Sequence, residues 1–480
     1  MTEHLDVLVV GAGLSGIAAG YHLQTACPDR TYAILESRDS IGGTWDLFRY
    51  PGIRSDSDMY TLGYTFQPWP GDRALADGPS ILAYVRDTAR VHGIDQHIRF
   101  QHKVVHAAWS SADARWTITC ERRGERVELT CSFLLMCAGY YRYDRGHAPT
   151  FAGAERFRGT LIHPQFWPED YDHGGKRIVV IGSGATAVTL VPALAARAAH
   201  VTMLQRTPTY IVSRPGVDRA AMWLRKRLPT KTAYAATRWK NVLMGKAFYD
   251  FCRAFPAQAR KLIAAGVKKE VGGAADAAHF QPSYAPWDQR LCLVPDGDLF
   301  AAIRSGKADV VTGTIDTFTE DGVRLTSGET LPADVIVTAT GLELQFLGGM
   351  TVAVDGETID PATRWNYKGA MLSGVPNLAV ALGYTNASWT LKAELACQYV
   401  CRVLNHMAKG GYRQCTPVQD DPTMATEPLL DLQSGYVQRA QALMPRQGDR
   451  TPWRMHQSYP RDLVALRHGK VDDGVLSFAR

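Results

Sequence analysis

The fold is decided by the stretch Val7-Leu-Val-Val-Gly-Ala-Gly-Leu-Ser-Gly16, in which an apolar run leads straight into a glycine-rich turn. The run predicts a buried strand, and the residues after the turn, Ile17 to Leu23, predict a helix. In this order Gly11 permits the tight turn, Gly13 lets the backbone approach a pyrophosphate, and Gly16 lets the helix pack closely. The N-terminus of the helix then points at the phosphates. The stretch therefore predicts a unit that binds a dinucleotide.

An acidic residue at the end of the next strand indicates which dinucleotide binds. The apolar run Tyr32 to Leu35 ends in Glu36, at about the spacing where a carboxylate takes a ribose hydroxyl. A carboxylate in that place repels the 2′-phosphate of NADP. The first site is therefore predicted to hold FAD.

The pattern of strand, turn and helix recurs in a second unit. The run Ile178 to Ile181 enters the turn Gly182-Ser-Gly184-Ala-Thr-Ala187, in which Ala187 replaces the third glycine, a permitted variant.

The second unit differs from the first at the end of its next strand. The strand Val201 to Leu204 runs into Gln205, Arg206 and Thr207, which offer a guanidinium and a hydroxyl where Glu36 offers a carboxylate. Arginine binds a 2′-phosphate through charge-assisted, often bidentate bonds, so the second site is predicted to hold NADPH. The alternative is an ordinary solvated arginine at a strand end.

A third stretch lies between the two turns and reads Phe157-Arg-Gly159-Thr-Leu-Ile-His163-Pro-Gln-Phe-Trp167-Pro168. With Gly42-Gly43-Thr44-Trp45, the run Arg49 to Asp56 and Ala339-Thr-Gly341, it resembles the class B flavoprotein monooxygenases, specifically the type I Baeyer-Villiger branch. Trp167-Pro168 favours that branch, because the related flavin-containing N- and S-monooxygenases usually end the motif in Tyr or Phe. The runs Trp45 to Tyr60, Pro286 to Pro295 and Gly383 to Trp389 resemble the ethionamide-activating monooxygenases of mycobacteria, and the similarity extends over nearly the whole chain.

The resemblance implies a reaction and the residues that carry it. NADPH reduces the flavin, O2 is taken up, and a C4a-peroxyflavin inserts one oxygen atom into a ketone. Because the attack builds an oxyanion, a fixed cation beside the flavin should stabilise it. The resemblance places this cation at Arg290 and its acidic partner at Asp56; the alternative is that both are structural ions in unrelated places. It also assigns cofactor contacts to residues near the two turns, namely Gly43, Thr44, Trp45, Asp56 and Gly341.

One position departs from the family pattern. Many type I members have a Lys-Arg pair where this chain has Gln289-Arg290. The lysine's share of NADPH binding must therefore be absent or supplied elsewhere.

His163 has two interpretations. In the family the stretch from Phe157 to Pro168 joins the nucleotide domains, so His163 is expected to couple domain movement to NADPH binding. Trp167 is then a packing residue of this hinge. The alternative is that His163 transfers a proton to the substrate.

Composition agrees with an intracellular enzyme of several domains. The 480 residues are 46% hydrophobic and 21% charged, enough to bury more than one core. Neither a signal peptide nor a membrane-spanning run is expected, and a cytoplasmic location follows as the default. The nine cysteines form an odd, scattered set that predicts reduced, mostly buried thiols, and no metal-site spacing appears.

The two units predict an α/β fold with two Rossmann-like dinucleotide-binding domains and a helical insertion. The FAD domain takes residues 1–148 and 346–480, the NADPH domain takes 149–215 and 285–345, and the insertion takes 216–284. Apolar residues recur at helical spacing in the insertion, whereas strand signals vanish there. Because the chain crosses between the domains, the active site is expected at their junction.

The insertion is strongly basic. The residues from Gly216 to Val271 include thirteen Lys or Arg and three Asp or Glu, so the local net charge of +10 exceeds the +6 of the whole chain. Such a segment could attract an anionic membrane surface or an acidic carrier. The alternative is a solvated helical face. Nucleic-acid binding is not expected, because no groove-reading or base-stacking module accompanies the charge.

Two other protein classes compete with an oxygenase. A disulfide reductase also pairs FAD and NADPH domains, but it needs two neighbouring cysteines after Gly42, and none occur there. A non-catalytic dinucleotide-binding protein would have little reason to keep Arg290, Asp56 and the Phe157 motif together. The expected substrates are small hydrophobic ketones, with sulfides and thioamides as further substrates. An N- or S-monooxygenase without significant ketone activity is the alternative.

Overall fold

The computed structural model describes residues 2–480. The chain combines α-helices with two main sheets that contain parallel strands, which confirms the predicted α/β class. The α-helices are α1 (Leu14–Ala26), α2 (Thr44–Leu47), α3 (Met59–Leu62), α4 (Gly78–Val91), α5 (Ala185–Ala195), α6 (Arg219–Arg225), α7 (Thr230–Ala254), α8 (Pro256–Val271), α9 (Asp298–Arg304), α10 (Trp389–Gly410), α11 (Gly435–Ala440) and α12 (Tyr459–Asp462).

The strands fall into two main sheets and several short ribbons. In chain order they are β1 (His4–Val10), β2 (Tyr32–Leu35), β3 (Ile98–Arg99), β4 (Lys103–Ser110), β5 (Arg115–Arg122), β6 (Glu125–Met136), β7 (Thr160–Ile162), β8 (Arg177–Ile181), β9 (His200–Gln205), β10 (Ile211–Arg214), β11 (Cys292–Pro295), β12 (Ala308–Thr312), β13 (Ile315–Thr319), β14 (Gly322–Leu325), β15 (Thr330–Pro332), β16 (Val335–Thr338), β17 (Thr351–Val354), β18 (Glu357–Ile359), β19 (Asn366–Tyr367), β20 (Met371–Leu372), β21 (Leu378–Val380), β22 (Gln414–Pro417), β23 (Thr426–Pro428), β24 (Arg446–Gly448) and β25 (Leu476–Ala479).

The first sheet is built around β1, whose apolar residues are almost completely buried. Strand β1 pairs in parallel with β2 on one side and with β6 on the other, and the sheet follows the order β18-β17-β4-β5-β6-β1-β2-β3. Strand β21 adds to β6 in parallel. Helix α10 packs beside α1, so the C-terminal part of the chain completes the unit that the N-terminus begins.

The second sheet has the order β12-β9-β8-β16-β7, and all its pairings are parallel. The chain enters it after β6 and leaves it after β16, so two connections join the sheets. The two units are therefore Rossmann-like, as predicted. The limits 1–148, 149–215, 216–284, 285–345 and 346–480 stay a prediction.

The basic segment forms helices α6, α7 and α8, with no strand between Gly216 and Gln281. Helix α7 packs on α3 of the first unit. Helix α8 instead buries Ile263, Val267 and Val271 in the core of the second unit. The segment thus spans both units and does not stand apart from them.

Among residues 2–480, no helix is both long and apolar enough to cross a membrane. The described side chains also contain no group of three or more His, Cys, Asp or Glu arranged to hold a metal ion. All nine cysteines are buried as free thiols.

Candidate active site

The first glycine turn lies at the carboxyl edge of the first sheet. Val10 of β1 pairs with Leu35 of β2, and the Gly11 amide donates to the Leu35 carbonyl at 2.8 Å. Gly11 has a φ of +104°, which favours glycine. A Cβ on Gly16 would overlap the carbonyl oxygen of Gly11. Helix α1 begins after Gly13 without a side-chain cap, which leaves its first amides available to a pyrophosphate.

Glu36 fastens this turn to the end of β2. Its Oε2 accepts the Ala12 amide at 2.8 Å, and its Oε1 accepts the Arg38 amide at 2.9 Å. The side chain is buried but lines a cavity of about 520 Å³, which we call the larger cavity. A fixed carboxylate in this place suits a ribose hydroxyl and repels a phosphate.

The larger cavity contains most of the residues predicted for the first cofactor. Its lining includes Gly11, Gly13, Glu36, Gly43, Thr44, Trp45, Asp56 and Arg290. The backbones of Gly13 and Gly43 lie close together: a Cβ on Gly43 would be only 3.1 Å from the Cα of Gly13. Bare backbone at this point and Glu36 at the strand end fit FAD, with its pyrophosphate and ribose.

The second turn repeats this geometry. Ile181 pairs with Leu204, and the Gly182 amide donates to the Leu204 carbonyl at 2.8 Å. Gly182 has a φ of +139°, and a Cβ there would overlap the carbonyl of Ala339. Gly184 is exposed with open space around it, whereas Ala187, in the first turn of α5, is fully buried. The turn thus presents bare backbone outward.

Arg206 and Thr207 lie exposed where β9 ends. The Thr207 carbonyl accepts the Ser183 hydroxyl at 2.9 Å, which ties the strand end to the glycine turn. The Arg206 guanidinium has no ion-pair partner among residues 2–480. A cation therefore stands beside the second turn, where the first turn has Glu36.

Arg290 and Asp56 lie 234 positions apart in the chain and form an ion pair. Nε of Arg290 lies 3.2 Å from Oδ2 of Asp56, and Nη2 donates to Oδ1 at 3.3 Å. The charge of Asp56 raises the pKa of Arg290 above its ordinary value, so the guanidinium stays charged. No residue within 2–480 accepts a hydrogen bond from its Nη1. One part of the guanidinium is thus held while another is free to bind a ligand.

This ion pair also lines a second cavity of about 280 Å³, the smaller cavity. Helix α7, the segment Asn386 to Ser388 and the segment Gln457 to Pro460 supply much of its wall. Gln345, Leu347, Tyr384 and Trp389 line the larger cavity, whereas Asn386 and Ser388 line the smaller one. The smaller cavity mixes apolar groups such as Phe248 and Leu391 with polar ones such as Asn241 and Gln457.

One aromatic residue of the larger cavity, Tyr140, was missed in the sequence. Tyr140 packs against Trp389 with ring centroids 4.8 Å apart, and the indole of Trp389 donates to Oγ of Ser15 at 2.9 Å. Desolvation raises the pKa of Tyr140 well above its ordinary value, so the phenol stays protonated. Its position in the sequence could have indicated its place at the site. Tyr140 follows β6, and β6 is a parallel neighbour of β1, with Met136 paired to Val10, so both strands end at the same edge of the sheet.

The Phe157 motif rests on both connections between the sheets. These connections pair with each other, since the Arg142 amide donates to the Glu343 carbonyl at 2.9 Å. Gln165 donates to the carbonyls of Arg142 and Tyr143 at 2.9 and 3.0 Å. The ring of His163 lies against Gly146, where a Cβ would overlap it.

Three of the remaining predicted residues of the motif, Phe157, Gly159 and Trp167, pack on the second unit. Trp167 is buried in its core, and Phe157 lies 6.4 Å from the ring of Phe318. A Cβ on Gly159 would overlap the Asp334 carbonyl, and Pro168 is exposed. Gly341 follows β16 with a φ of +107° on the second connection.

Burial lowers the pKa of His163, so its ring is neutral near pH 7. Its Nδ1 accepts the Gln165 amide at 3.2 Å, which leaves the proton on Nε2. The ring is not among the residues that line either cavity. This position suits a contact between units better than proton transfer to a substrate.

The chain is similar to known proteins over its whole length. A family model described as flavin-binding monooxygenase-like matches residues 5–348. The FAD-containing monooxygenase EthA of Mycobacterium tuberculosis is 56% identical over 482 residues, covering 100% of this chain and 99% of the relative. EthA of Mycolicibacterium smegmatis is 53% identical, covering 100% and 98%. An oxidized steroid monooxygenase bound to NADP superimposes with a TM-score of 0.77 at 22% identity, covering 99% of this chain and 100% of that one, which shows the shared fold.

Proposed function

The chain belongs to the flavin-binding monooxygenase-like family, and we propose that it is an FAD- and NADPH-dependent Baeyer-Villiger monooxygenase. It inserts one oxygen atom of O2 into small hydrophobic ketones to give esters or lactones, and it oxidises sulfides and thioamides as further substrates. The observation that carries this proposal is the Arg290–Asp56 ion pair, which lines both cavities. A group held there can act on the cofactor side and on the substrate side.

When bound, FAD accepts electrons from NADPH and supplies the activation of O2. The glycine turn and Glu36 hold its pyrophosphate and ribose in the larger cavity. Tyr140 and Trp389 form an aromatic wall of that cavity, and Asp56 fixes the orientation of Arg290.

The free part of Arg290 favours ketone chemistry. Attack on a ketone carbonyl places negative charge on its oxygen, and a preorganised cation away from bulk water stabilises that charge. Oxidation of a sulfide builds no such oxyanion on the substrate. In the alternative function, an N- or S-monooxygenase without significant ketone activity, Arg290 would have no oxyanion on the substrate to stabilise.

The substrate class is tested by a screen of aliphatic and aryl ketones against thioethers, in which products are measured directly. The proposal expects ester or lactone from several ketones as well as sulfoxide. Sulfoxide without any ester would establish the alternative function. Apolar ketones accumulate in lipid, so the proposal includes peripheral contact with a membrane through the basic residues 216–284.

Nucleotide preference is expected to depend on Arg206. The unmodified enzyme should prefer NADPH over NADH, and Arg206→Ala should raise the apparent KM for NADPH about tenfold or more with little change in kcat. Contact with the 2′-phosphate is made equally in the ground and transition states, so its loss appears in KM. Steady-state kinetics with both nucleotides check this. Equal use of NADPH and NADH by the unmodified enzyme would contradict the assignment of the second site.

His163→Ala is expected to uncouple the enzyme. The ring packs at the contact between the motif and the connection at Gly146, so its loss should loosen closure of the site and admit water. NADPH would still be consumed, but more of its reducing equivalents would end as hydrogen peroxide.

The measurement for this variant is the ratio of hydrogen peroxide to oxygenated product at saturating ketone. Leu161→Ala, at an exposed position of the same motif, serves as the control. An unchanged ratio with a uniformly lower rate would indicate a direct chemical role for His163.

A further inference from the structure

Helix α7 carries an apolar face that nothing in the chain covers. Trp239, Leu243 and Met244 are 40%, 55% and 56% exposed, and with the exposed Ala236 and Ala247 they form one side of the helix, which we call the outer face. Of the fourteen large hydrophobic side chains exposed in residues 2–480, eight lie between Val217 and Leu262. Surface apolar residues scattered singly need no explanation, but this concentration does.

The opposite side of α7 lines the smaller cavity. Asn241, Val242 and Gly245 are part of its wall, and so is Lys246, whose side chain is 39% exposed. The cavity therefore reaches the surface along the helix that carries the outer face. The ring of Trp239 also lies 5.7 Å from the ring of Tyr459, another residue of the cavity wall.

The charges of the segment that forms helices α6 to α8 bear on what can cover the outer face. The one carboxylate of α7, Asp250, is paired to Lys246. The segment also carries lysines that are exposed and make no ion pair with any described residue: Lys226, Lys231, Lys261, Lys268 and Lys269. The guanidinium of Arg227 lies 4.3 Å from the ring centroid of Trp223, which is itself 54% exposed. Basic side chains beside exposed Trp and Leu are typical of surfaces that lie in an anionic lipid interface. A second copy of the chain would bring the same positive charge against itself.

We propose that the outer face of α7 docks on an anionic membrane surface and that lipid-dissolved substrate enters the smaller cavity from that side. The lysines bind the headgroups, while Trp239, Leu243 and Met244 enter the boundary of the acyl chains. This inference deepens the proposed function: it locates the membrane contact on one face of α7, and it takes the nature of the substrate from the proposed reaction.

Docking is tested by sedimentation of the holoenzyme with vesicles of phosphatidylcholine alone or mixed with phosphatidylglycerol. The enzyme should bind only the vesicles that contain phosphatidylglycerol, and raising the salt from about 0.05 M to about 0.5 M should release it. Leu243→Asp/Met244→Asp should weaken binding to these vesicles about tenfold or more, because the two apolar side chains that would enter the lipid are lost. Val91→Asp/Val418→Asp changes the charge equally at exposed positions elsewhere and should bind like the unmodified enzyme.

Each other outcome overturns the inference. The unmodified enzyme could fail to bind anionic vesicles, or Leu243→Asp/Met244→Asp could bind them normally. In lipid-free buffer, a dimer that this variant converts to a monomer would identify the outer face as an interface between copies.

Substrate entry has a separate readout in turnover. With anionic vesicles added, a long-chain ketone dissolves in the lipid, so Leu243→Asp/Met244→Asp should form ester at least about fivefold more slowly than the unmodified enzyme. Without vesicles the two should be equal. If the variant and the unmodified enzyme form ester at equal rates in the presence of vesicles, the substrate does not enter from the membrane. Absence of ester from every protein would instead refute the proposed function, whereas the sedimentation result would still stand.

Discussion

Arg290→Ala is expected to form ester from a ketone at least about a hundredfold more slowly than the unmodified enzyme, whereas NADPH still reduces its flavin at close to the original rate. The guanidinium is needed when negative charge develops on the carbonyl oxygen, which happens after oxygen has reacted. The second glycine turn and Arg206, which are proposed to hold NADPH, do not depend on it.

Anaerobic loss of flavin absorbance measures the reduction, and chromatography measures the ester. Arg324→Ala is the matched control, because it removes an arginine paired to Asp316 at 2.8 Å that lines neither cavity. Normal ester formation by Arg290→Ala would remove Arg290 from the mechanism. Loss of flavin reduction would instead assign it to cofactor binding.

Gly16→Ala is expected to lose FAD. The added Cβ would overlap the carbonyl oxygen of Gly11, and Gly11 has little room to move aside, because even a Cβ on Gly11 would overlap the carbonyl oxygen of Cys137. A backbone atom cannot relieve the overlap by changing rotamer, as a side chain could. We therefore expect a cost at the upper end of the range for overpacking, about 3 kcal/mol, which corresponds to roughly a hundredfold loss of affinity for FAD. The purified protein should be colourless.

Titration of the apoprotein with FAD measures the affinity, and thermal unfolding shows whether the variant is folded. Gly266→Ala on α8 is the control, because a Cβ there meets no atom within 4 Å. FAD affinity equal to that of the unmodified protein would show that the turn tolerates a side chain and that Gly16 does not define the site.

The two dinucleotide units could be predicted because their signals are local. Gly11 and Glu36 lie 25 positions apart, yet β1 and β2 are parallel neighbours, and carboxyl ends of such strands meet at one edge of a sheet. The same reasoning brings Gly182 and Arg206 together. Tyr140 follows this rule too and could have been found by it.

The ion pair and the smaller cavity were beyond such reasoning. Asp56 and Arg290 come from segments that no periodicity relates, and only the family resemblance joined them. The smaller cavity combines α7 with Asn386 and Gln457, from three distant parts of the chain. Periodicity predicted apolar stripes in the basic segment but not their partners, so the burial of Ile263 against the second unit and the exposure of Leu243 appear only in the folded chain.

Baeyer-Villiger activity is tested most directly by turnover of a ketone by the purified holoenzyme with NADPH and isotopically heavy O2. We expect that each ester molecule carries a single heavy oxygen atom and that ester formed equals NADPH consumed. This expectation would be contradicted if the NADPH consumed were recovered as hydrogen peroxide with no labelled ester, while a thioether gave labelled sulfoxide under the same conditions.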